Sequence, residues 1–198
     1  MQEHHGSSCS QKTSGRRLRL VMRIGLTQRV LLHRDRAYDS LEHSWYEYLQ
    51  GHTLVSIPNR LPISVPDLDA LIVTGGDDHP VRNQVEHELI DHMRDRNVTV
   101  IGICHGCQLL TTKLGGIVVP VDDHMDSYHE VEYHGKQHLV NSYHKLRIEQ
   151  PPSGATVLAR DPDGYAEAWI SGRTAGIMWH PERMIQPWVP QEIQQLLS

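Results

Sequence analysis

The sequence predicts an α/β domain built on a mostly parallel central sheet with helices on both faces. Short apolar runs alternate with segments whose apolar residues recur at helical spacing, which is the pattern of parallel strands joined by helices. A length of 198 residues with 38% hydrophobic content fits one domain with a sizeable core. In such sheets, functional groups gather beyond the carboxyl ends of the strands.

The first half of the chain supplies strands and helices in regular alternation. The predicted strands are residues 18–26, 52–57, 68–74 and 98–103. After the first strand, Asp39 is a suitable helix cap, and the apolar residues that follow at helical spacing are Leu41, Trp45, Tyr48 and Leu49. After the third strand, a second helix is predicted to bury the face formed by Val81, Val85, Leu89 and Met93.

The second half is less regular after the glycine pair Gly115-Gly116. Short strands are predicted at residues 117–121, 146–149, 156–159, 166–170 and 174–179. The intervening segment 122–138 is rich in histidine and acidic residues, so it has enough ligands to suggest a metal site. Its spacing matches no strong zinc signature. We therefore expect a solvated, mobile flap and no metal or other cofactor.

Composition excludes several functional classes. A net charge of -5, with 15 histidines counted as neutral, leaves no basic surface for a nucleic acid partner. No apolar run reaches the roughly 20 residues that span a bilayer, and Arg19 and Arg23 interrupt the first apolar stretch, so neither a membrane association nor a signal peptide is predicted. Three cysteines, two of them in one C-x-x-C, cannot form an extracellular disulfide framework, which favours the cytoplasm.

Residues 1–17 contain several serines and no periodic apolar pattern, and we interpret them as a disordered leader. Residues 18–198 are then expected to form a single catalytic domain.

The most informative segment is Gly102-Ile103-Cys104-His105-Gly106, which follows the strand at residues 98–103. A sharp turn from a strand into a helix crowds the central residue, so its neighbours must be small, as in the nucleophile elbow of hydrolases. The same turn would place Cys104 at a helix start, where free N–H groups and the helix dipole favour a thiolate. Alternatively, Cys104 and Cys107 form a redox dithiol, or Cys104 is structural. We expect a nucleophilic Cys104 and a structurally buried Cys107.

A partner for this thiol lies near the C-terminus, in Trp179-His180-Pro181-Glu182. His180 can act as base and Glu182 can orient its imidazole, which completes a nucleophile, base and orienter set. The oxyanion of an acyl-transfer intermediate would be held by the N–H of His105 and by one from Gly75 or Gly76. The glycine pair can also be a simple turn, and His-Pro-Glu is common in isolation.

At these residues the chain resembles class I glutamine amidotransferases and their gamma-glutamyl hydrolase relatives. The matching blocks, in the family's order, are the segment 72–77, the elbow with Cys104, Val140-Asn141-Ser142-Tyr143-His144 and the closing Met178 to Glu182. The resemblance implies the family's flavodoxin-like α/β fold and a small-molecule gamma-glutamyl substrate. It implies that the glutamyl group is bound by Gln108, Asn141, Ser142 and Tyr143, with His144 structural.

Arg29, just after the first strand, could add a bidentate contact to a carboxylate or phosphate, although such an arginine is often simply solvated. Within the family, Ile24 to Val30 and the helix with Trp45 are most similar to gamma-glutamyl-CDP-amidate hydrolases, which serve bacterial capsule or other surface-polysaccharide decoration.

The sequence therefore predicts a cysteine-dependent hydrolase of gamma-glutamyl amides that works through a glutamyl thioester. One alternative is a glutaminase subunit that delivers ammonia to a separate synthetase partner. A third hypothesis is a catalytically silent regulatory module, against which the intact set of Cys104, His180 and Glu182 argues. The leaving amine and the oligomeric state are not predicted.

Overall fold

A computed structural model describes residues 21–122 and 124–198. The strands are β1 (Arg23–Thr27), β2 (Arg29–His33), β3 (Arg36–Ser40), β4 (Thr53–Ile57), β5 (Ala70–Val73), β6 (Thr99–Ile103), β7 (Ile117–Pro120), β8 (Ser127–Tyr133), β9 (Lys136–Ser142), β10 (Leu146–Gln150), β11 (Thr156–Arg160), β12 (Ala166–Ser171) and β13 (Thr174–Ile177). The helices are α1 (Ser44–Tyr48), α2 (Pro80–Asp95), α3 (His105–Lys113) and α4 (Gln191–Gln194), with 3-10 turns at Pro181–Arg183 and Gln195–Leu197. The predicted leader lies outside the described residues, as do the first residues of the predicted strand 18–26.

The central sheet confirms the predicted α/β fold with a parallel centre. Its main order is β4-β1-β5-β6-β13-β12-β11-β8-β9, and the strands from β4 through β13 in that order pair in parallel. From β12 outward the pairing is antiparallel, and β10 joins β12 to β7. Parallel pairing of β6 with β13 brings the end that precedes Cys104 beside the end that precedes His180.

Helices cover both faces of this sheet, as predicted. Leu71 and Val100 pack on one face with α2 and α3, whereas Ile72 and Ile101 pack on the other face with α1 and α4. Successive strand residues alternate between two apolar clusters, because side chains of a strand point to opposite faces. The two clusters bury the parallel centre between two helical layers.

The helix predicted after Asp39 is shorter than expected, and Asp39 is not its cap. Asp39 belongs to β3 of a two-stranded hairpin, β2 with β3, whose turn at Arg34 and Asp35 has positive φ angles of 48° and 61°. The Asp39 carboxylate instead accepts hydrogen bonds from the backbone and side chain of Asn59, at 3.1 and 2.6 Å. The turn contains no glycine, and this removed the usual sequence signal for a hairpin.

Helix α2 forms where predicted, but its buried face includes charged residues. Val85, Leu89 and Met93 are buried, whereas Val81 is 41% exposed. Arg82 and Glu86 are fully buried in its place. The buried face predicted from apolar periodicity is therefore correct for Val85, Leu89 and Met93 and wrong for Val81, because the first turn of α2 faces a polar region of the molecule.

The segment expected to be a flap is largely an antiparallel hairpin. β8 and β9 pair along their whole lengths, from Ser127 opposite Ser142 to Tyr133 opposite Lys136. Val131 and Val140 are buried in this hairpin, but the other inward positions are polar, so the strands carry little apolar alternation. Residues 127–138 are therefore regular paired strands, which the sequence did not predict, and the mobility of the segment stays a prediction.

The longest helix of the described ranges, α2, has 16 residues, and none of the helices there is both long and apolar enough to cross a bilayer.

Candidate active site

Cys104 lies in a strained turn between β6 and α3. Its φ and ψ are 50° and -104°, a conformation that residues with a side chain rarely adopt. The turn is closed by a hydrogen bond of 2.8 Å from the Cys104 N–H to the carbonyl of Ile177 at the end of β13. The geometry is that of the predicted elbow, and it places the thiol at the carboxyl end of the sheet.

The two glycines of the elbow are required by close backbone contacts. A Cβ at Gly102 would strike the backbone of Gly106 and lie 2.6 Å from the nitrogen of Cys107. A Cβ at Gly106 would strike the carbonyl of Val73. The spacing of the motif therefore reflects the packing of α3 against the ends of β5 and β6.

His180 and Glu182 stand beside Cys104 and contact each other directly. The imidazole Nδ1 is 2.6 Å from Glu182 Oε1, and both side chains are buried. The Cys104 side chain interacts with the same imidazole, and this interaction contributes to the raised pKa of His180. The three side chains thus form the chain of contacts that a nucleophile, base and orienter require.

The charge of His180 is controlled by these contacts. Burial alone would lower the pKa of His180, but hydrogen bonds with Cys104 and Glu182, together with the negative charge of Glu182, raise it to about 9. The imidazole is therefore protonated at neutral pH. A protonated imidazole stabilises an adjacent thiolate, which is the nucleophilic form of cysteine.

Asn141 holds the backbone of His180 with both atoms of its amide. The His180 N–H donates to Asn141 Oδ1 at 2.8 Å, and Asn141 Nδ2 donates to the His180 carbonyl at 2.9 Å. Tyr143 packs edge-on against the His180 ring, with 5.5 Å between centroids. The structure therefore brings these two predicted substrate residues to His180, and it gives Asn141 a positioning contact that was not predicted from the sequence.

The other predicted substrate residues have different surroundings. Ser142 is buried, and its hydroxyl donates to the carbonyl of His124 at 2.5 Å. Gln108 is half-buried on α3, and its N–H donates to the Cys104 carbonyl at 3.0 Å. Arg29 Nη1 lies 2.9 Å from Glu42 Oε1.

The glycine pair after β5 approaches the same site. A Cβ at Gly75 would strike the imidazole of His180, so only glycine allows the ring to lie there. Gly76 has a φ of +139°, and a Cβ would come within 2.5 Å of Arg82 Nη1. The glycine pair therefore lies beside the His180 ring and Arg82, and the third predicted oxyanion-hole residue, His105, is the first residue of α3.

Glu42 and Arg183 extend the site and were not identified from the sequence. Arg183 forms a bidentate pair with Glu42, at 2.8 and 2.7 Å, and its guanidinium lies 4.8 Å from the Tyr143 ring centroid. Burial would raise the pKa of Glu42, but the hydrogen bond and charge of Arg183 and the charge of Arg29 hold it below its usual value. A small depression beside the triad is lined by Arg29, Ser40, Leu41, Glu42, Trp45, Thr74, Gly75, His180, Glu182 and Arg183.

Cys107 has an environment that does not suit redox exchange. It is fully buried, and burial strongly raises the pKa of its thiol. Its sulfur packs so closely on β13 that a Cβ at Gly176 would approach it within 2.5 Å. These contacts are those of a small buried hydrophobe.

Two histidines of the segment 122–138, together with His144, lie around a buried glutamate, Glu167, that was not identified from the sequence. His129 Nε2 lies 3.5 Å from Glu167 Oε2, and His144 Nε2 lies 3.7 Å from Glu167 Oε1. The ring centroid of His124 is 5.1 Å from that of His129 and 5.2 Å from that of His144. We call His124, His129, His144 and Glu167 the Glu167 cluster. Within residues 21–122 and 124–198, no group of three or more His, Cys, Asp or Glu side chains has an arrangement able to hold a metal ion.

Comparison with known proteins gives consistent results. The profile of the family described as glutamine amidotransferase class-I matches residues 36–197. A gamma-glutamyl-CDP-amidate hydrolase of Campylobacter jejuni is 27% identical over 145 residues, which cover 72% of this chain and 68% of that protein. Component 2 of an anthranilate synthase from Archaeoglobus fulgidus is 26% identical over 158 residues, or 74% of this chain and 85% of that protein.

Solved structures show the same fold. The PurLQS structure from Thermotoga maritima gives a TM-score of 0.67 at 15% identity, covering 90% of this chain and 98% of that one. A glutamine amidotransferase, also from Thermotoga maritima, superposes with a TM-score of 0.64 at 14% identity, covering 81% of this chain and 76% of that one.

Proposed function

The chain belongs to the class I glutamine amidotransferase family and is a C–N amide hydrolase, and on this premise we propose that it cleaves the gamma-glutamyl amide bond of a small conjugate through a Cys104 thioester. The observation that carries the proposal is the buried contact chain from Cys104 through His180 to Glu182, with His180 Nδ1 at 2.6 Å from Glu182. No organic or metal cofactor takes part in the proposed reaction.

The reaction begins with attack of the Cys104 thiolate on the gamma carbonyl carbon. The oxyanion that forms accepts hydrogen bonds from the N–H of His105 and from Gly75 or Gly76. Collapse of the intermediate breaks the C–N bond, and the leaving amine takes the proton of His180. His180, now neutral, removes a proton from water as it attacks the thioester, which releases glutamate and restores the thiolate with protonated His180.

The residues proposed to bind the substrate are those that lie near Cys104 and His180. Tyr143 contacts His180, and Gln108 lies one helical turn after Cys104; this proximity supports a role for both in binding the glutamyl group. We retain Asn141 and Ser142 in this role, with Asn141 also fixing the backbone of His180.

An anionic leaving portion is favoured by the arginines beside the triad. Arg29 and Arg183 both contact the carboxylate of Glu42, and Arg183 also lies 3.9 Å from Glu182, so two guanidinium groups stand beside the triad. Guanidinium groups bind phosphate and carboxylate through paired hydrogen bonds. Together with the similarity to the Campylobacter jejuni enzyme, this supports gamma-glutamyl-CDP-amidate as the substrate, in the cytoplasmic part of capsule or surface-polysaccharide synthesis.

The alternative is a glutaminase subunit, which is supported by the similarity to component 2 of an anthranilate synthase. The two functions differ in their need for a partner. A hydrolase gains transition-state binding from its large leaving group, whereas a glutaminase releases only ammonia.

The purified chain should be assayed alone against glutamine and gamma-glutamyl-CDP-amidate. We expect the larger amide to be cleaved with a kcat on the order of 1 to 1000 per second without an added protein, and glutamine to be the poorer substrate. Glutamine cleavage that appears only with a synthetase, with no cleavage of the larger amide, would establish the alternative.

A further inference from the structure

Glu86 lies at the centre of a buried polar network behind the Cys104 turn. Its side chain is fully buried on α2 and accepts hydrogen bonds from Thr27 Oγ1 at 2.7 Å and from Arg82 Nε at 2.9 Å. The second carboxylate oxygen lies 3.2 Å from His105 Nε2. Burying a carboxylate is costly, and these hydrogen bonds and the ion pair with Arg82 offset that cost.

Arg82 connects the same network to the glycine pair. Its Nη2 donates to the Thr74 carbonyl at 2.6 Å and approaches the Gly75 carbonyl at 3.4 Å. The Thr74–Gly75 and Gly75–Gly76 peptide bonds are trans, so each N–H is opposite to the carbonyl of the same peptide. Because the carbonyls face the guanidinium, the N–H groups of Gly75 and Gly76 point away from it. Arg82 thus contacts the carbonyl side of both peptides.

Thr27 fixes the start of this loop to the end of β1. The Thr74 N–H donates to Thr27 Oγ1 at 3.0 Å, and Thr74 Oγ1 donates to the Thr27 carbonyl at 2.7 Å. The Thr27 hydroxyl therefore serves both Glu86 and the loop. This shared hydroxyl fixes the loop that carries the glycine pair relative to Glu86.

Charge strengthens the network. Burial would raise the pKa of Glu86, but the hydrogen bond with His105 and the charge of Arg82 hold it below its usual value. Glu86 is therefore ionised at neutral pH, and hydrogen bonds to an ionised group are the stronger ones. His105 is itself 5% exposed, so little water competes for its contact with Glu86.

We propose that Arg82 and Glu86 are positioning residues that hold both halves of the oxyanion hole, the peptides of Gly75 and Gly76 through Arg82 and the first residue of α3 through the His105 side chain. Neither residue touches the reacting atoms. Oxyanion stabilisation depends on donors that are fixed before the reaction, and a shared buried network fixes donors from two separate loops together. The inference rests on the proposed thioester chemistry.

Two reactions of Cys104 separate this role from a general structural one. Acylation by p-nitrophenyl acetate forms an oxyanion, whereas alkylation by iodoacetamide does not. For Glu86→Gln we expect the acylation rate constant to fall by roughly tenfold or more, with alkylation within about twofold of the wild type. Glu88→Gln makes the same chemical change at an exposed position of α2, and it should leave both rates unchanged.

Thr27→Val tests the network without altering its charges, in case Glu86→Gln fails to fold. It keeps the side-chain shape and removes the hydroxyl, so acylation should again fall selectively, and Thr27→Ser should restore it. Unchanged acylation in the folded variants, or equal loss of acylation and alkylation, would overturn the inference. A wild type whose Cys104 is not acylated by the ester would overturn it as well.

The ester assay also separates this inference from the proposed function. It requires no gamma-glutamyl substrate, so a wild type that cleaves no gamma-glutamyl amide contradicts the proposed function alone. The selective effect of Glu86→Gln on acylation would still support the network.

Discussion

The triad and the Glu167 cluster both join buried histidine to buried glutamate, but their geometry differs. His180 Nδ1 lies 2.6 Å from Glu182, within hydrogen-bond distance, whereas His129 and His144 lie 3.5 and 3.7 Å from Glu167. Neither Glu167 oxygen has a hydrogen-bond partner among the described residues. The same residue types therefore form a direct pair in one region and a loose group in the other.

This difference in geometry has opposite effects on the pKa values of His180 and His144. Contacts with Cys104 and Glu182 overcome burial and raise the pKa of His180, whereas burial outweighs Glu167 and lowers the pKa of His144. Direct interactions with Cys104 and Glu182, and not burial beside a carboxylate alone, keep the His180 imidazole charged. Only the triad then has the acid that expulsion of an amine requires.

The nucleophile should give the largest effect. Cys104→Ala removes the proposed nucleophile, and turnover should fall by roughly 10⁶-fold with folding intact. Cys107→Ala should cost only about 1 kcal/mol of stability and little turnover. Steady-state kinetics and thermal unfolding measure both, and equal losses of turnover would favour a dithiol mechanism.

Glutamate substitution should separate the two regions next. Glu182→Gln removes the carboxylate that orients and charges His180, and kcat should fall by roughly 10² to 10⁴-fold. Glu167→Gln should leave kcat nearly unchanged and leave the melting temperature unchanged or higher, because neither oxygen of this buried carboxyl group has a hydrogen-bond partner among the described residues to lose. A similar loss of kcat in both variants would show that the Glu167 cluster takes part in the reaction.

The pH dependence should follow His180. Its pKa is raised to about 9, so the proton needed by the leaving amine is lost as pH rises through that value. We expect kcat/KM to fall about tenfold per pH unit above about 9. The stabilisation from this raised pKa is complete below the unfolded value near 6.5 and disappears as pH rises through about 9. In Glu182→Gln the basic limb should move to lower pH, and a limb that does not move would assign it to another group.

Chelation should have the smallest effect. The proposed reaction uses no metal, so exhaustive chelation should leave both kcat and the melting temperature unchanged. Metal analysis of the purified protein before and after treatment is the matching control. Stoichiometric zinc that is lost together with activity would contradict the assignment and direct attention to the Glu167 cluster.

Residues with a local sequence signature were predictable. The glycines on either side of Cys104 are required because the turn has no room for a side chain at those positions, so their spacing predicted the elbow. The apolar runs before Thr74 and Cys104 likewise located the parallel strands, because both faces of such strands are buried.

Residues whose partners are distant in the chain were not predictable. Arg82 and Glu86 have the spacing of an ordinary surface ion pair on a helix, and only tertiary contacts with Thr27 and His105 bury them. The β8 to β9 hairpin was missed because polar residues occupy most of its positions. Periodicity detects apolar burial, and it carries no signal for buried polar networks.

The most direct test of the central claim is mass spectrometry of the protein quenched with acid during turnover of a gamma-glutamyl amide. We expect a mass increase of one gamma-glutamyl group, located by fragmentation on the peptide that contains Cys104 and absent from Cys104→Ala. Rapid turnover with no adduct, or an adduct on another residue, would contradict it.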